Sequence, residues 1–293
     1  MISRGGTILG TSRIDPVKNP DDITRIKCVI EDIDIGALVV IDGDGTLRAA
    51  QEVSTHGKPI RGIPKTINND VFGTNATIGF DTAVFIVTEA IDRLHTTAES
   101  HHRIMVVEVM GRRSGWIALA AGIAGGADEI PVPEMRTSLG EVCLSLDERY
   151  RAGKNFSIVV VAEGTRREDI AGISVPECDR DECGHEKFVG VGTVLSKELE
   201  RRLGVETRVT VLGHVQRGGN PISYDRVLAT CLGIETVHQI HAGNFGCIAA
   251  VQGNRIVNVP PLNQSCIGQR ESIPMNIYAQ NRWPGSTHKY RFC

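Results

Sequence analysis

Residue types suited to phosphate chemistry stand directly after a short apolar run near the start of the chain. Residues 41–46 read IDGDGT and continue the run 37–41, which reads ALVVI. Glycines at such a position let the backbone approach phosphate oxygens, and a carboxylate such as Asp44 can hold Mg²⁺ through water. The same letters are also typical of an ordinary Asp-Gly turn, so the motif alone leaves both interpretations open.

A second motif, PKTINND at residues 64–70, follows the apolar run 60–63. Lys65, Thr66 and Asp70 supply a cation, a hydroxyl and a carboxylate within a few residues. Phosphoryl transfer to an alcohol needs charge neutralisation, in-line positioning and a base near the attacking hydroxyl, and these residue types meet those needs. A polar turn without chemistry is the alternative.

Two further motifs offer groups that bind phosphoryl oxygens and sugar hydroxyls. Residues 108–115 read EVMGRRSG, in which the planar guanidinium of Arg112 could stabilise charge that develops on a phosphoryl group. Residues 162–164 read AEG, in which Glu163 could accept hydrogen bonds from sugar hydroxyls. The alternatives are a surface arginine before a helix and a solvated acid in a turn.

The fifth motif, LGHVQRGG at residues 212–219, places an imidazole and a guanidinium three residues apart. His214 and Arg217 are a plausible clamp for a phosphate monoester, because both groups donate charge-assisted hydrogen bonds to phosphate oxygens. A lone histidine at such a place is more often structural. No single motif therefore decides the function.

The apolar periodicity predicts strands and helices that alternate along the chain. The apolar run 37–41 suits a strand buried on both faces, and further strands are predicted at 60–63, 104–109, 156–162, 208–212 and 246–251. Helices are predicted at 47–53, 80–94, 116–124, 191–203 and 224–240. This alternation indicates an α/β fold of parallel βαβ units, in which ligands lie beyond the carboxyl ends of the strands.

The composition favours a globular protein that is drawn neither to nucleic acid nor to membranes. The 293 residues carry a formal net charge of −3, so any phosphate site must be a local cluster of cations and backbone N–H groups. No apolar run approaches the length of about eighteen residues that a membrane span needs, and the first residues lack the apolar core of a signal peptide. We therefore expect a cytoplasmic protein.

One group of potential zinc ligands occurs in the chain. Cys178, Cys183 and His185 lie close together in sequence, but a zinc site normally needs four ligands and no matching second pair is present. We therefore interpret residues 166–187 as a long polar surface segment rather than as a metal site.

Taken together and in this order, the motifs resemble those of the 6-phosphofructokinase family. The resemblance runs from residues 4–13, RGGTILGTSR, to about residue 252, which is most of the chain. The most specific matches are TIGFDTA at 77–83, EVMGR at 108–112 and the segment 210–219. The alternatives without chemistry, which each motif allows by itself, lose weight once all of the motifs fit one family.

The resemblance implies an α/β fold with two lobes of parallel-rich sheet and flanking helices. By the same resemblance, residues 1–75 with 215–265 form the nucleotide and phosphate-donor lobe, residues 76–214 form the fructose 6-phosphate lobe, and residues 266–293 are an atypical tail. The implied reaction is phosphoryl transfer from ATP to the 1-hydroxyl of fructose 6-phosphate, which gives fructose 1,6-bisphosphate in glycolysis. Because the family pattern has a further strand and phosphate loop before Arg4, we expect an N-terminally truncated chain with an incomplete donor lobe.

The donor side of the site follows from the same resemblance. Asp44 matches the residue that binds Mg²⁺, and Gly45 matches a glycine that leaves room for ATP where pyrophosphate-using relatives carry Asp. Lys65 is usual in pyrophosphate enzymes and in the mixed-substrate branch, so the combination resembles the ATP-using members of that branch, with pyrophosphate as the alternative donor. The residues implied in donor binding are Arg4, Gly43, Asp44, Gly45, Thr46 and Lys65, and Arg13 lies near the nucleotide in the same pattern.

The resemblance also implies a binding site for fructose 6-phosphate. Thr66 and Asp70 match the family residues at the reacting end of the sugar, and Met110, Gly111 and Arg112 match the next contact. Glu163 matches the residue that binds the sugar hydroxyls. His214 and Arg217 match the ligands of the 6-phosphate. Arg103 and Arg208 match arginines that reach into the site of an adjacent subunit. A homo-oligomer, either a dimer or a tetramer, is therefore expected.

Two residues depart from the family pattern at this site. Asn68 stands where the family has the aspartate that acts as catalytic base, and an amide cannot accept the proton of the 1-hydroxyl, so the loss would cost about 10²–10⁴ in rate. Asp42 stands where the family has glycine, which adds negative charge beside the polyphosphate. A catalytically impaired subunit that binds sugar phosphate is therefore a further hypothesis.

Overall fold

The computed structural model describes residues 2–10, 17–165 and 190–260. The described chain forms two compact units, one with the residues up to Thr82 and from Gly219 onward, the other with those from Ala83 to Gly218. Several sequence-based expectations fall outside the described ranges: Arg13, the group Cys178, Cys183 and His185, the polar segment 166–187 and the tail 266–293.

The first unit is built on a four-stranded sheet. Its elements are α1 (Pro20–Asp32), β1 (Leu38–Asp42), α2 (Asp44–Thr55), β2 (Ile60–Pro64), α7 (Ser223–His241), β6 (Cys247–Gln252) and β7 (Arg255–Val259). The strand order is β1-β2-β6-β7, with β1, β2 and β6 parallel and β7 antiparallel to β6. The register pairs Asp42 with Pro64, so both strands end at the same edge of the sheet.

The second unit contains a three-stranded parallel sheet. The helix α3 (Phe80–His101) leads into it, and β3 (Ile104–Val109), α4 (Trp116–Ala124), α5 (Leu139–Arg151), β4 (Ser157–Ala162), α6 (Val191–Leu203), β5 (Thr207–Val211) and a 3-10 helix (Gly213–Arg217) follow. The strand order is β4-β3-β5. Residues of β3 and β4 are buried throughout. The prediction that the apolar run of β1 is buried on both faces is wrong, because β1 is an edge strand of its sheet, most of its residues are only partly buried and Ile41 is exposed.

Apolar packing of α5 and α6 against the second sheet forms a large part of its core. Leu146 of α5 and Leu195 of α6 are both inaccessible to solvent and pack with Val106 and Val159 of the strands. Burying such side chains is the main favourable contribution to folding, at about 1.5–3 kcal/mol for each. The second sheet is thereby a rigid base for the loops that follow its strands.

The sequence predictions agree with most elements and miss others. The strand 104–109 and the helices 116–124 and 191–203 have the predicted bounds. The helices α1 and α5 and the strand β7 were not predicted, because their apolar residues are interspersed with charged ones. Cap signals were nevertheless present, since α1 begins with an Asn-Pro pair and Ser138 and Glu141 form a capping box at α5.

The helix α2 begins earlier than its apolar pattern predicts. Gly43 is its extended N-cap residue and Asp44 is its first residue, so the predicted glycine turn is in fact the first turn of the helix. A carboxylate at this position is favoured by the positive end of the helix dipole. The helix ends after Thr55, where Gly57 with φ of +82° turns the chain away.

A buried carboxylate of α7 fixes the start of α3. Asp225 is 1% exposed, and it accepts hydrogen bonds from the backbone N–H groups of Gly79 and Thr82, each at 2.8 Å, and from the hydroxyl of Thr82. Thr82 Oγ1 in turn accepts a bond from the N–H of Ile222 at 3.1 Å. The orphan N–H groups at the start of α3 are thus satisfied by a side chain more than a hundred residues away in sequence.

We predict that Asp225→Ala lowers the free energy of unfolding by about 3 kcal/mol, because three donors lose a charged acceptor in a buried place. Urea denaturation followed by circular dichroism measures this loss. Asp92→Ala, at an exposed carboxylate of α3, is the control and should stay within about 0.5 kcal/mol of the parent. A loss below about 1 kcal/mol for Asp225→Ala would contradict the capping role.

A second buried carboxylate makes stability depend on pH. Glu129 is 8% exposed, and burial is the main cause that raises its pKa to about 7, with a lesser contribution from the charge of Asp128. The guanidinium of Arg149 lies 2.7 Å from Asp128, whose own pKa is also raised by burial. The fold therefore favours the protonated form of Glu129, whereas the unfolded chain ionises at its ordinary pKa.

Because the folded pKa of Glu129 lies above the unfolded one, stability should fall as the pH rises from about 4.5 through about 7 and then level off. Glu129→Gln removes this contribution, so the variant should gain stability relative to the parent between about pH 5 and pH 8, by up to about 3 kcal/mol. Urea denaturation at several pH values tests this, with the exposed Glu99→Gln as control. A pH-independent difference would contradict the assignment.

Candidate functional site

In the first unit, the carboxyl ends of β1 and β2 bring two of the sequence motifs side by side. Asp42 ends β1, and Lys65 follows β2, with the Lys65 N–H bonded to the Asp42 carbonyl at 3.0 Å. Lys65 Nζ lies 3.5 Å from Asp42 Oδ1, and Thr46 Oγ1 donates to Asp42 Oδ2 at 2.7 Å. The edge of the sheet thus carries a carboxylate held between a cation and a hydroxyl.

The start of α2 offers backbone N–H groups next to this edge. Gly43 makes no side-chain cap hydrogen bond, and a side chain at Gly45 would meet no atom within 4 Å. A Cβ on Gly43 would approach Thr66 to 3.5 Å, so the start of α2 lies against the second motif. An open space at a helix N-terminus suits an anion such as a phosphate group.

Asp44 is the residue here that could hold Mg²⁺. Its carboxylate lies 3.2 Å from Arg48 Nε and its side chain is 36% exposed. Within the described ranges, no group of three or more His, Cys, Asp and Glu side chains could enclose a metal ion. Mg²⁺ usually takes one or two carboxylates and completes its shell with water and substrate phosphates, so a single accessible carboxylate fits this ion.

Hydrogen bonds hold the second motif in one conformation. Thr77 Oγ1 donates to the Thr66 carbonyl at 2.7 Å and to Asn69 Oδ1 at 3.2 Å, and Asn69 has a positive φ of +51°. The N–H of Asn68 donates to Thr66 Oγ1 at 3.2 Å, and Asn68 Nδ2 lies 3.4 Å from Asp70 Oδ2. An amide at the position of the base is thereby placed beside a carboxylate.

In the second unit, Glu163 holds the loop that follows β3. Its Oε1 accepts from the N–H groups of Gly111 at 3.2 Å and Arg112 at 2.8 Å. Gly111 has φ of +155° and Arg112 has φ of +53°. The left-handed conformation of Arg112 costs a non-glycine residue about 1–3 kcal/mol. A Cβ at Gly164 would lie 1.7 Å from the Arg112 carbonyl oxygen, so only glycine fits beside this loop.

The 3-10 helix after β5 carries His214 and Arg217 and is tied to the same loop by Gln216. Gln216 is 1% exposed, accepts from the N–H of Met110 at 3.2 Å and donates to the Gly213 carbonyl at 3.0 Å. This residue was not predicted from the sequence. Its position between His214 and Arg217 was the available signal.

Arg103 and Arg208 lie at the opposite end of the second sheet. Arg103 precedes β3 and Arg208 is near the start of β5, whereas Met110 and His214 follow the ends of these strands. Both arginines pair with Glu206, with Arg103 Nε at 2.8 Å from its Oε2, and the hydrogen bond from Arg103 is the main cause that lowers the pKa of Glu206. The structure therefore does not bring them to the other predicted residues of the same chain.

A further cavity lies between α1 and α2 in the first unit. It is an open recess of about 320 Å³, lined by Val17, Ile23, Thr24, Lys27, Glu52 and His56. Two of these side chains are apolar, and the other four can bond to polar ligand atoms. These residues were not predicted as a site, because α1 itself was not predicted.

Arg4 lies in a segment that contacts the chain just before α7. Its side chain is exposed, and a Cβ on its neighbour Gly5 would come within 2.4 Å of the Gly219 carbonyl oxygen. The backbone around Arg4 is therefore packed in the first unit while the guanidinium faces outward.

Across the described part of the chain, no helix combines the length and the apolar character that a membrane span requires.

Comparisons with known proteins identify the family of this chain. The family model described as Phosphofructokinase matches residues 1–240. ATP-dependent 6-phosphofructokinase 3 of Streptomyces coelicolor is 50% identical over 96% of this chain and 81% of its own length, and the pyrophosphate–fructose 6-phosphate 1-phosphotransferase of the same organism is also 50% identical, over 89% of this chain and 76% of its own.

A solved structure supports the fold assignment as well. The crystal structure of Pichia pastoris phosphofructokinase in the T-state matches 96% of this chain with a TM-score of 0.77 and 31% identity, and the match spans 32% of that longer chain. The predicted α/β class with parallel-rich sheets is therefore confirmed. By its matched sequence and by its architecture, this chain belongs to the phosphofructokinase family.

Proposed function

We propose that this chain catalyses phosphoryl transfer from ATP to the 1-hydroxyl of fructose 6-phosphate, giving fructose 1,6-bisphosphate. The observation that carries the proposal is the pairing of β1 with β2, which places the Asp42–Thr46 segment beside Lys65 and Thr66 at one sheet edge. Relatives with the name ATP-dependent 6-phosphofructokinase share about half of their residues with this chain. The setting would be cytoplasmic glycolysis.

In this proposal, the first unit binds the donor. Asp44 holds Mg²⁺, which neutralises charge on the phosphates, and the open N-terminus of α2 at Gly43, Gly45 and Thr46 faces the phosphate chain. The cavity between α1 and α2 takes the adenosine, and Glu52, which lines it, supplies a hydrogen-bond acceptor there. Arg4 is left with a peripheral role, since it is exposed.

The second unit binds the sugar phosphate. His214 and Arg217 grip the 6-phosphate, and Arg112 meets the charge that develops on the transferred group. One carboxylate oxygen of Glu163 accepts hydrogen bonds from the N–H groups of Gly111 and Arg112, and its other oxygen can accept one from a sugar hydroxyl. Met110 lies in the same loop and is positioned by Gln216.

The chemical step moves one phosphoryl group and one proton. The 1-hydroxyl oxygen attacks the terminal phosphorus, the bond from that phosphorus to the bridging oxygen breaks, and the nucleoside diphosphate leaves. The proton of the hydroxyl must pass to a base, and the amide of Asn68 cannot accept it. Asp70, whose Oδ2 lies 3.4 Å from Asn68 Nδ2, is the nearest carboxylate in the motif for this role.

Pyrophosphate is the second candidate donor. A pyrophosphate-using relative is as similar to the chain as an ATP-using one, so relatedness does not separate the two donors. Lys65 favours pyrophosphate by the family pattern, whereas the open space at Gly45 and the cavity between α1 and α2 favour a nucleotide. The same assay with each donor in turn distinguishes them.

A homo-oligomer is part of the proposal. Arg103 and Arg208 lie at the end of the second sheet away from His214, and by the family pattern such arginines serve the site of an adjacent subunit. Their shared partner Glu206 holds the two guanidinium groups together before such a contact forms. We propose a dimer or a tetramer, whose mass light scattering can measure.

A subunit that binds sugar phosphate without turnover is the alternative of another class, and Asn68 is the observation that favours it. Calorimetric binding of fructose 6-phosphate without turnover by any donor would support this alternative. Turnover that requires ATP and Mg²⁺ would contradict it.

We predict that Asn68→Asp raises kcat with ATP by about 10²–10⁴, because the variant restores a base at the attacking hydroxyl. A coupled assay of fructose 1,6-bisphosphate formation measures the gain. Asn75→Asp, at another asparagine of the same unit, is the matched control and should give no gain. If Asn68→Asp leaves kcat unchanged, another group already accepts the proton.

We predict that Gln216→Leu raises the dissociation constant of fructose 6-phosphate by about tenfold or more, because a small displacement of the Met110 and His214 segments disrupts an oriented site. Calorimetry measures binding without depending on turnover, and circular dichroism verifies the fold. Gln252→Leu changes an exposed amide of the first unit and should bind like the parent. Unchanged affinity in Gln216→Leu would contradict the positioning role.

A further inference from the structure

The sheet edge in the first unit contains two cations, and each is paired with an acid. Lys65 Nζ lies 3.5 Å from Asp42 Oδ1, and Arg48 Nε lies 3.2 Å from Asp44 Oδ2. Both carboxylates are about as accessible as their partners, at 40% for Asp42 and 36% for Asp44. These four side chains therefore add no net positive charge at the place where the donor phosphates are proposed to bind.

The pair of Asp42 and Lys65 is fixed on both sides. Thr46 Oγ1 donates to the second carboxylate oxygen of Asp42 at 2.7 Å, which orients the carboxylate from the first turn of α2. The parallel ladder places the backbone of Lys65 against that of Asp42, with the N–H of Lys65 bonded to the C=O of Asp42 at 3.0 Å. An exposed pair without such support is often worth nothing measurable, but here the backbone determines the proximity.

We propose that Asp42 determines donor specificity, by occupying Lys65 so that the site disfavours a donor that consists of phosphate alone. The inference rests on the proposed function. Pyrophosphate can bind only through its charged phosphate groups, so it depends on a free cation. ATP can also bind through its base and ribose in the cavity between α1 and α2. In the proposed role, the base and ribose place ATP so that its phosphates do not depend on Lys65, and a neutral edge therefore weakens the binding of pyrophosphate more than that of ATP.

An alternative role for Asp42, as a ligand of Mg²⁺, can be distinguished from the proposed one. Asp42 and Asp44 are two residues apart, so Asp42 could instead supply a second carboxylate to Mg²⁺. In that case removing its charge would weaken both donors in their magnesium complexes. In the proposed role, removing the charge of Asp42 strengthens the binding of pyrophosphate and leaves the binding of ATP nearly unchanged.

The test uses the full chain with the isosteric substitution Asp42→Asn. Calorimetric titration with magnesium pyrophosphate should show binding about tenfold tighter than in the parent, because Asp42→Asn frees the ammonium of Lys65 to pair with it at a few ångströms. The affinity for magnesium ATP should change less than about threefold, because in the proposed role its base and ribose, rather than Lys65, determine where its phosphates lie. The ratio of kcat/KM for the two donors should shift in the same direction.

Two further variants isolate the pair. In Lys65→Ala, the additional change Asp42→Asn should tighten pyrophosphate much less than it does in the parent, since the cation that it would release is gone. Asp34→Asn removes a charge before β1, at the opposite end of the strand, and should leave the donor ratio unchanged.

The outcomes separate this inference from the proposed function. If the chain binds ATP but Asp42→Asn leaves the ratio of the affinities for pyrophosphate and ATP unchanged, the proposed function stands and the role of Asp42 is overturned. Equal tightening or equal weakening of both donors would overturn it as well, as would a full effect in the Lys65→Ala background. Failure of both the parent and Asp42→Asn to bind either donor would overturn the proposed function together with this inference.

Discussion

Parallel pairing of strands is the constraint on which the site depends. Because β1 and β2 run in the same direction, the polar residues that follow them meet at one edge, and the same is true of β3, β4 and β5 in the second unit. The predicted donor groups and the predicted sugar-phosphate groups thus each lie at the edge of one sheet, and the helices pack their apolar side chains against these sheets.

Carboxylates in this chain act largely as acceptors for the protein's own donors. Asp225 satisfies the start of α3, Glu163 holds the strained loop at Arg112, and Asp42 orients Lys65. Each of them places an element or a cation that the proposed reaction needs. A carboxylate that the sequence indicates as a ligand can therefore bind substrate only through the oxygen atoms that are not engaged in these internal hydrogen bonds.

The two departures from the family pattern have different physical consequences. In the proposed function, Asn68 changes which group can take a proton, so it would affect the rate of the chemical step. Asp42 pairs with Lys65, so in the proposed role it would affect which donor binds. The two departures would therefore act on different steps, one on catalysis and the other on donor binding.

Local sequence was enough to predict the alternation of strands and helices and the residue types at the strand ends, since apolar runs and glycine positions are local properties. It also carried the match of residues such as His214 and Arg217 to one family. The folded chain was needed to see that Gln216 joins the Met110 loop to the 3-10 helix, that Arg103 and Arg208 share Glu206, and that Asp42 pairs with Lys65. Those contacts join residues distant along the chain, or depend on the register of paired strands, and neither is written in local spacing.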